Sequence, residues 1–285
     1  MLKASFEALN PYTSNSFLLR QFNEFTAPYH YHPEYELTLI VRGRGNRYVG
    51  THMELYADGD LVLLGPNLPH CWKNEPVQQE EPPVASVVIQ FAPDFLGQNF
   101  LGKPELTTIS HLLQQSAQGI RFSGNTAIHI GDQMQELAKE NDSFKRLIGL
   151  LEILQQLAFS KEQHLLDQQG NSTRPSGTKA ARINTVLGYI IDNYKNEIIL
   201  DQAAARVNMT TNAFCKYYKK TTGKTFIETV TDYRINYAIQ QLLYSDKPIS
   251  DICFDNGFGD LSHFYKVFKR KMKLSPLKYR KLFSS

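Results

Sequence analysis

The sequence predicts a two-domain α+β protein: a β-rich N-terminal domain that ends in helices, then an all-α domain built on a duplicated unit. Short runs rich in aromatic and branched residues recur near the N-terminus, with turn residues between them. One pattern of aromatic and basic residues occurs twice, fifty residues apart, in the last third of the chain. Between these regions, Asp167 to Gly177 contains no apolar residue, and charge changes sign across it. Residues 171–285 hold 19 Lys and Arg against 9 Asp and Glu, leaving 12 against 19 in residues 1–170 of a 285-residue chain of net charge +3. The boundaries that follow are 1–166, a flexible linker over 167–178, and 179–285.

In the N-terminal domain, Phe17 to Phe25, Tyr35 to Val41, Asn46 to Val49, Asp60 to Leu64 and Ser86 to Phe91 read as strands, and many short strands argue for a sandwich or barrel. The most informative string is His30-Tyr31-His32-Pro33-Glu34-Tyr35-Glu36, followed by Gly43, Gly59-Asp60, Gly65-Pro66-Asn67-Leu68-Pro69-His70 and Asn74. Alternate residues of a strand share a face, so the spacing predicts that His30, His32 and Glu36 converge, with His70 joining from a second hairpin. Arg20, on a strand, and Trp72, the only tryptophan, are further pocket candidates.

Residues 132–166 read as helical, with Phe144, Leu147, Leu151, Leu154 and Leu157 at three- and four-residue steps. Such a stripe packs on a second copy of the chain or on its own domain, and a homodimer through 132–166 is the expectation. Cys71, Cys215 and Cys253 have no CxxC spacing, which argues against a disulfide framework or zinc finger and fits a reducing interior. With no signal-like leader and no bilayer-length apolar run, a cytoplasmic location without a membrane partner is expected.

The repeat consists of Phe214-Cys215-Lys216-Tyr217-Tyr218-Lys219-Lys220 and Phe264-Tyr265-Lys266-Val267-Phe268-Lys269-Arg270. At about 100° per residue, Leu261, Phe264, Tyr265, Val267 and Phe268 cluster on one side of a helix, and Ser262, His263, Lys266, Lys269 and Arg270 on the other. The first copy sorts Phe214, Tyr217 and Tyr218 inward, and Asn212, Cys215, Lys216 and Lys219 outward. A short helix and a turn precede each copy: Asp201 to Val207 with Asn208-Met209, and Ile249 to Cys253 with Gly257. Thr210 or Thr211 caps the first basic helix and Asp260 the second. Short helix, turn and basic amphipathic helix make a helix-turn-helix, and Phe226 to Leu243, free of Pro and Gly, is the long helix joining the two motifs. A cationic domain of this kind attracts the phosphates of double-stranded DNA.

The stretch from Asp246-Lys247-Pro248-Ile249-Ser250-Asp251-Ile252 through Asn256-Gly257-Phe258, Phe264, Phe268-Lys269-Arg270 and Leu274-Ser275-Pro276 to Tyr279-Arg280 resembles the signature of AraC/XylS-type bacterial transcription regulators. Two departures stand out: Lys273 replaces the usual helix-ending Gly, and Cys253 the usual Ala. The resemblance implies that Asn212, Cys215, Lys216, Ser262, His263 and Lys266 meet base edges, while Lys219, Lys269 and Arg270 meet phosphates. Promoter DNA is then the partner, and contact with RNA polymerase is left open.

The His30 to Asn74 string resembles the two motifs of cupins, whose metal-binding members supply three His and one Glu. It is also similar to the effector-binding domain common in AraC-type regulators. Pro69, directly before His70, departs from the metal-binding pattern. The expectation is therefore a cupin-like β-barrel whose pocket, drawn from Arg20, His30, His32, Glu36, His70 and Trp72, takes a small-molecule effector with no metal, no other cofactor and no catalysis. The alternative is a metal-dependent cupin enzyme carrying a DNA-binding tail.

Overall fold

The computed structural model describes residues 5–6, 16–24, 27, 29–50, 52–74, 84–166 and 178–283. The chain divides into two compact units, the first comprising 5–52 and 56–174, the second holding 175–285. The expected linker falls at 167–177, outside the described residues, and Thr178 already begins a helix.

The strands, in the first unit apart from residues 53–55 of β6, are β1 (Ser5–Phe6), β2 (Phe17–Phe22), β3 (His30–Tyr31), β4 (Tyr35–Arg42), β5 (Gly45–Val49), β6 (His52–Tyr56), β7 (Leu61–Leu64), β8 (His70–Asn74), β9 (Ala85–Phe91), β10 (Ile120–Phe122) and β11 (Gln163–Leu165). They form a five-stranded sheet, β1-β3-β8-β5-β6, and a six-stranded sheet, β11-β10-β7-β4-β9-β2. The five strands read from the sequence are present; β3, β6, β8, β10 and β11 escaped because each is short and has no alternation of its own.

Period-two alternation positions everything in the six-stranded sheet. Leu37 and Leu39, Leu61 and Leu63, Val87, Ile89 and Phe91 point to one face, where they join a core with α1 (Thr107–Gln115), α2 (Gly124–Lys139) and α3 (Ser143–Phe159). The intervening residues point to the other face. There Ile40, Val62 and Leu64 meet Val49 and Trp72 of the five-stranded sheet in a second core, and Glu36, Thr38, Ser86 and Gln90 bring polar groups inside.

The Leu-rich stripe of α3 requires a correction. Leu154 and Leu157 are fully buried in the unit's own core, Leu147 packs against it, and Leu151 is half-buried. Each three-residue step falls about 60° short of a full turn, so the stripe winds around the helix from Phe144 into the core. Phe144 (70% exposed), Ile148 and Phe159 share the face left outside, and Ile128 of α2 is exposed as well.

The second unit contains α4 (Thr178–Asn193), α5 (Leu200–Arg206), α6 (Thr211–Thr222), α7 (Phe226–Tyr244), α8 (Ile249–Asp255), α9 (Leu261–Met272) and α10 (Pro276–Phe283). Pairs α5–α6 and α8–α9 are the two helix-turn-helix motifs, and α7 joins them. A capping box starts α7, with Thr225 and Glu228 satisfying each other's backbone N–H. Phe214 and Tyr218 of α6 pack on Phe226 of α7 at ring separations of 5.4 and 5.7 Å. Phe264 and Phe268 of α9, both fully buried, pack with Ile235, Ala238 and Leu242 of the same long helix.

Candidate functional sites: a cationic pair of helices and a buried His/Glu cluster

Each basic helix starts and stops where local chemistry dictates. The Thr210 hydroxyl accepts from the Ala213 N–H, and the Asp260 carboxylate accepts from the His263 N–H at 2.6 Å. Gly223 ends α6 and Lys273 ends α9, both left-handed, at φ 73° and 61°. Lys273 thus occupies the conformation that Gly usually supplies, so the turn is kept and the side chain bears the strain. Cys253, the other departure, is buried, and burial followed by the nearby Asp260 charge pushes its thiol up to about 11.

Asn212, Cys215, Lys216 and Lys219 on α6, and Ser262, His263, Lys266, Lys269 and Arg270 on α9, are all exposed, opposite buried Phe214, Tyr218, Phe264, Val267 and Phe268. Tyr217, Leu261 and Tyr265 are half-buried at the edges. Among the described residues, no ion pair engages Lys216, Lys266, Lys269 or Arg270, whereas Lys224 and Lys271 both pair with Asp232, and Lys247 pairs with Asp255. Two matched cationic faces on helix-turn-helix motifs suit phosphate and base contacts in a major groove.

In the first unit, His30, His32, Glu36 and His70 are all buried, and one ligand atom from each lies within 4.8 Å of the others. The route differs from the one the sequence suggested. His30 lies on β3 of the five-stranded sheet, directly opposite His70 on β8, and Glu36 lies on β4 of the other sheet. His32 sits in the crossover between them. The cluster forms because the chain changes sheets inside the string, not because one strand aligns three side chains.

Its hydrogen bonds define the protonation state. The His70 Nδ1–H donates to the Leu68 carbonyl at 2.7 Å, so the Nε2 lone pair faces inward, 3.6 Å from Glu36 Oε2 and without a hydrogen-bond partner. Glu36 accepts from the Thr38 hydroxyl at 2.6 Å and from the Gln90 amide at 2.8 Å, and its Oε2 lies 3.0 Å from His32 Nε2. Burial pushes the Glu36 carboxyl up, but His70 and His32 outweigh it and hold the group well below the usual carboxylate range. Burial likewise lowers His70, against the pull of Glu36. An ionised carboxylate and a neutral imidazole with its lone pair turned in are the forms that ligate metals.

Three imidazoles and one carboxylate at this spacing fit a divalent cation such as Fe, Ni, Cu or Zn, whose chemistry there would be Lewis-acid binding of oxygen donors. His30, His32, Glu36 and His70 would hold it. Beside the cluster lies a cavity of about 130 Å³ lined by Arg20, Phe22, His30, Glu36, Thr38, Trp72, Ser86, Val88 and Gln90 among others. Arg20 is half-buried, donates to the Gln90 amide oxygen and lies 5.4 Å from the Phe22 ring. Trp72 reaches the Asp60 carboxylate at 3.5 Å, and its ring lies 5.9 Å from that of His70. Sequence reasoning missed Thr38, Ser86 and Gln90. Their signal was present: polar residues at alternating positions of otherwise apolar strands.

A helix-turn-helix domain model matches residues 203–282, and a cupin domain model matches 21–78. The HTH-type transcriptional activator RhaS of Klebsiella pneumoniae is 24% identical over 87% of this chain and 86% of its own length. The chain carries an AraC-type helix-turn-helix domain and a cupin domain, and its relatives are AraC-family regulators. The chain is also 29% identical to the melibiose operon regulatory protein of Escherichia coli, over 52% of its length and 51% of that protein. The crystal structure of ToxT from Vibrio cholerae covers 95% of this chain and 99% of its own at 15% identity and a TM-score of 0.37. Among the described residues, no helix is long and apolar enough to cross a membrane.

Proposed function

We propose that this regulator recognises a bipartite promoter site through α6 and α9 and that a small molecule held in the barrel cavity controls it. The observation that carries the DNA reading is the pair of matched outward faces, each exposed, cationic and opposite an aromatic core. Asn212, Cys215, Lys216, Ser262, His263 and Lys266 meet base edges; Lys219, Lys269 and Arg270 hold phosphates. The effector reading rests on the cavity beside the cluster, whose volume is close to the roughly 150 Å³ that accommodates a benzene-sized molecule. A second copy of the chain pairs through the outer face of α3, where Phe144, Ile148 and Phe159 are exposed. The alternative of a metal-dependent enzyme with a DNA-binding tail rests on the four donors alone, and the relatives are transcription regulators.

The cysteines supply a direct test, because Cys215 is exposed on α6 while Cys71 and Cys253 are buried. Promoter fragments identified by footprinting protect Cys215 from alkylation, and Lys269→Ala weakens all sequences alike and lowers the salt slope by about one unit. Unaltered alkylation of Cys215 in the bound complex would remove α6 from the groove. For the pocket, Val88→Phe fills the cavity without replacing any of the four donors; it leaves promoter affinity intact and abolishes regulation in a reporter strain. Normal regulation in that variant would place effector binding elsewhere.

A further inference from the structure

Apolar packing holds each helix-turn-helix motif on α7: Phe214 and Tyr218 meet Phe226 at its start, and Phe264 and Phe268 meet Ile235, Ala238 and Leu242 toward its end. Such packing is non-directional and leaves the angle between the motifs open. Two polar ties close it, made by residues two positions apart, which about 100° per residue places on opposite faces of the helix. On one face, each oxygen of the Asp232 carboxylate takes one ammonium: Lys224, just beyond the end of α6, donates to Oδ2 at 2.8 Å, and Lys271, in the last turn of α9, donates to Oδ1. On the other, Arg234 Nε donates to the Tyr194 carbonyl at 2.8 Å and Nη2 to the Asn196 carbonyl at 2.9 Å, just past α4; its guanidinium lies 6.0 Å from the ring of Phe258, in the turn of the second motif. We propose that Asp232 is a positioning residue, a strut between the ends of α6 and α9 that sets which half-site spacing the protein accepts. The inference rests on the bipartite reading of the promoter and deepens it.

The two ties differ in what they restrain. The Arg234 joint lies where Gly257 comes so close that an added Cβ would meet the Tyr194 carbonyl oxygen at 2.5 Å, so the turn of the second motif has no room to slide there. It acts as a pivot. Asp232 meets the C-terminal ends of both basic helices, so rocking one motif about that pivot stretches one of its two ion pairs. The Asp232 and Lys271 side chains are 23% and 28% exposed, and solvent screens their pair only in part. A network of this exposure adds little to folding stability, and its effect is on geometry. On DNA, one base pair added between the half-sites turns one against the other by about 35° and moves it by about 3.4 Å. A rigid pair of helices does not follow that change; a pair released from the strut follows it in part.

The test uses the full chain and the footprinted promoter fragment in three forms: native, with either half scrambled, and with one base pair inserted between the halves. Gel-shift titrations give the insertion penalty, the ratio of Kd on the lengthened fragment to Kd on the native one, from which sequence-independent phosphate attraction cancels. For the wild type the penalty is about thirtyfold or more. Asp232→Asn, which keeps the shape of the side chain and leaves both aromatic cores untouched, lowers the penalty about fivefold. Lys271→Gln, which breaks the bridge at its other end, does the same, and Asp232→Glu, which keeps the carboxylate, retains the wild-type penalty. A penalty for Asp232→Asn or Lys271→Gln within about twofold of wild type overturns the strut, as does a wild type that tolerates the insertion. Wild-type binding unchanged by scrambling one half overturns the bipartite reading and the strut with it, so the scrambled fragments tell the two failures apart.

Discussion

The two helix-turn-helix motifs share their helix faces but differ in the joints that hold them. In both, the turn closes with the same bonds: Asn208 N–H to Ala205 and Met209 N–H to Ala204 in the first, Gly257 N–H to Phe254 and Phe258 N–H to Cys253 in the second. The left-handed residue is Asn208 at φ 55° in one and Gly257 at φ 75° in the other. A Cβ on Gly257 would meet the Tyr194 carbonyl oxygen at 2.5 Å, so close backbone approach dictates Gly there. The second turn is also one residue longer before its cap, Asp260, than the first before Thr210. Duplication has kept what faces the groove and the core, while turn and cap chemistry follows each copy's neighbours.

The largest effects test the shared part. Phe214→Ala and Phe264→Ala each empty a fully buried aromatic site and destabilise the helical unit by about 3–5 kcal/mol. Chemical unfolding followed by far-ultraviolet ellipticity reads the loss, with Trp72 fluorescence reporting the barrel separately. A cost below about 1 kcal/mol for one of the pair would end the equivalence.

Next come the joints, where the copies should diverge. Gly257→Ala combines positive φ with a backbone clash and costs about 3 kcal/mol, whereas Asn208→Ala costs about 1 kcal/mol. Equal losses in the same unfolding assay would mean that the Tyr194 approach relaxes freely. Removing the caps, by Asp260→Ala or Thr210→Ala, costs about 1 kcal/mol each; the shorter bond of Asp260 makes its loss the greater, as native-state hydrogen exchange at the His263 and Ala213 amides can check.

The smallest effect has the opposite sign. Lys273→Gly relieves left-handed strain at the end of α9 and stabilises the unit by about 0.5–1 kcal/mol, even though the Lys273 amine gives up its bond to the Arg270 carbonyl. Gly223→Ala at the matching position destabilises by a similar amount. A Lys273→Gly variant that melts earlier than wild type would show that the bond to Arg270 outweighs the strain.

Legibility differed between the two units for a physical reason. A recognition helix announces itself locally: aromatic residues at three- and four-residue steps face the core, Lys and Arg face water, and the capping residue stands just ahead. The barrel strands are short, and several carry no alternation of their own, so β8 was hidden although His70 and Trp72 lie on it. The α3 stripe misled because its three-residue steps wind into the core, and only packing shows that Leu154 and Leu157 lie inside while Phe144 stays out.

By itself, the sequence determined the duplicated helix-turn-helix, the sides of α6 and α9 that stay in water, the sheet-rich character of the first unit and the identity of its four metal-type donors. These depend on periodicities of two and 3.6 residues and on residue chemistry, both properties of neighbouring positions. Tertiary structure alone decided that His30 and Glu36 belong to different sheets, that Gln90 stands across from Glu36 and bonds Arg20, and that Gly257 must admit the Tyr194 carbonyl. Each of those facts joins residues distant along the chain, where register and close packing, rather than local pattern, set which atoms meet.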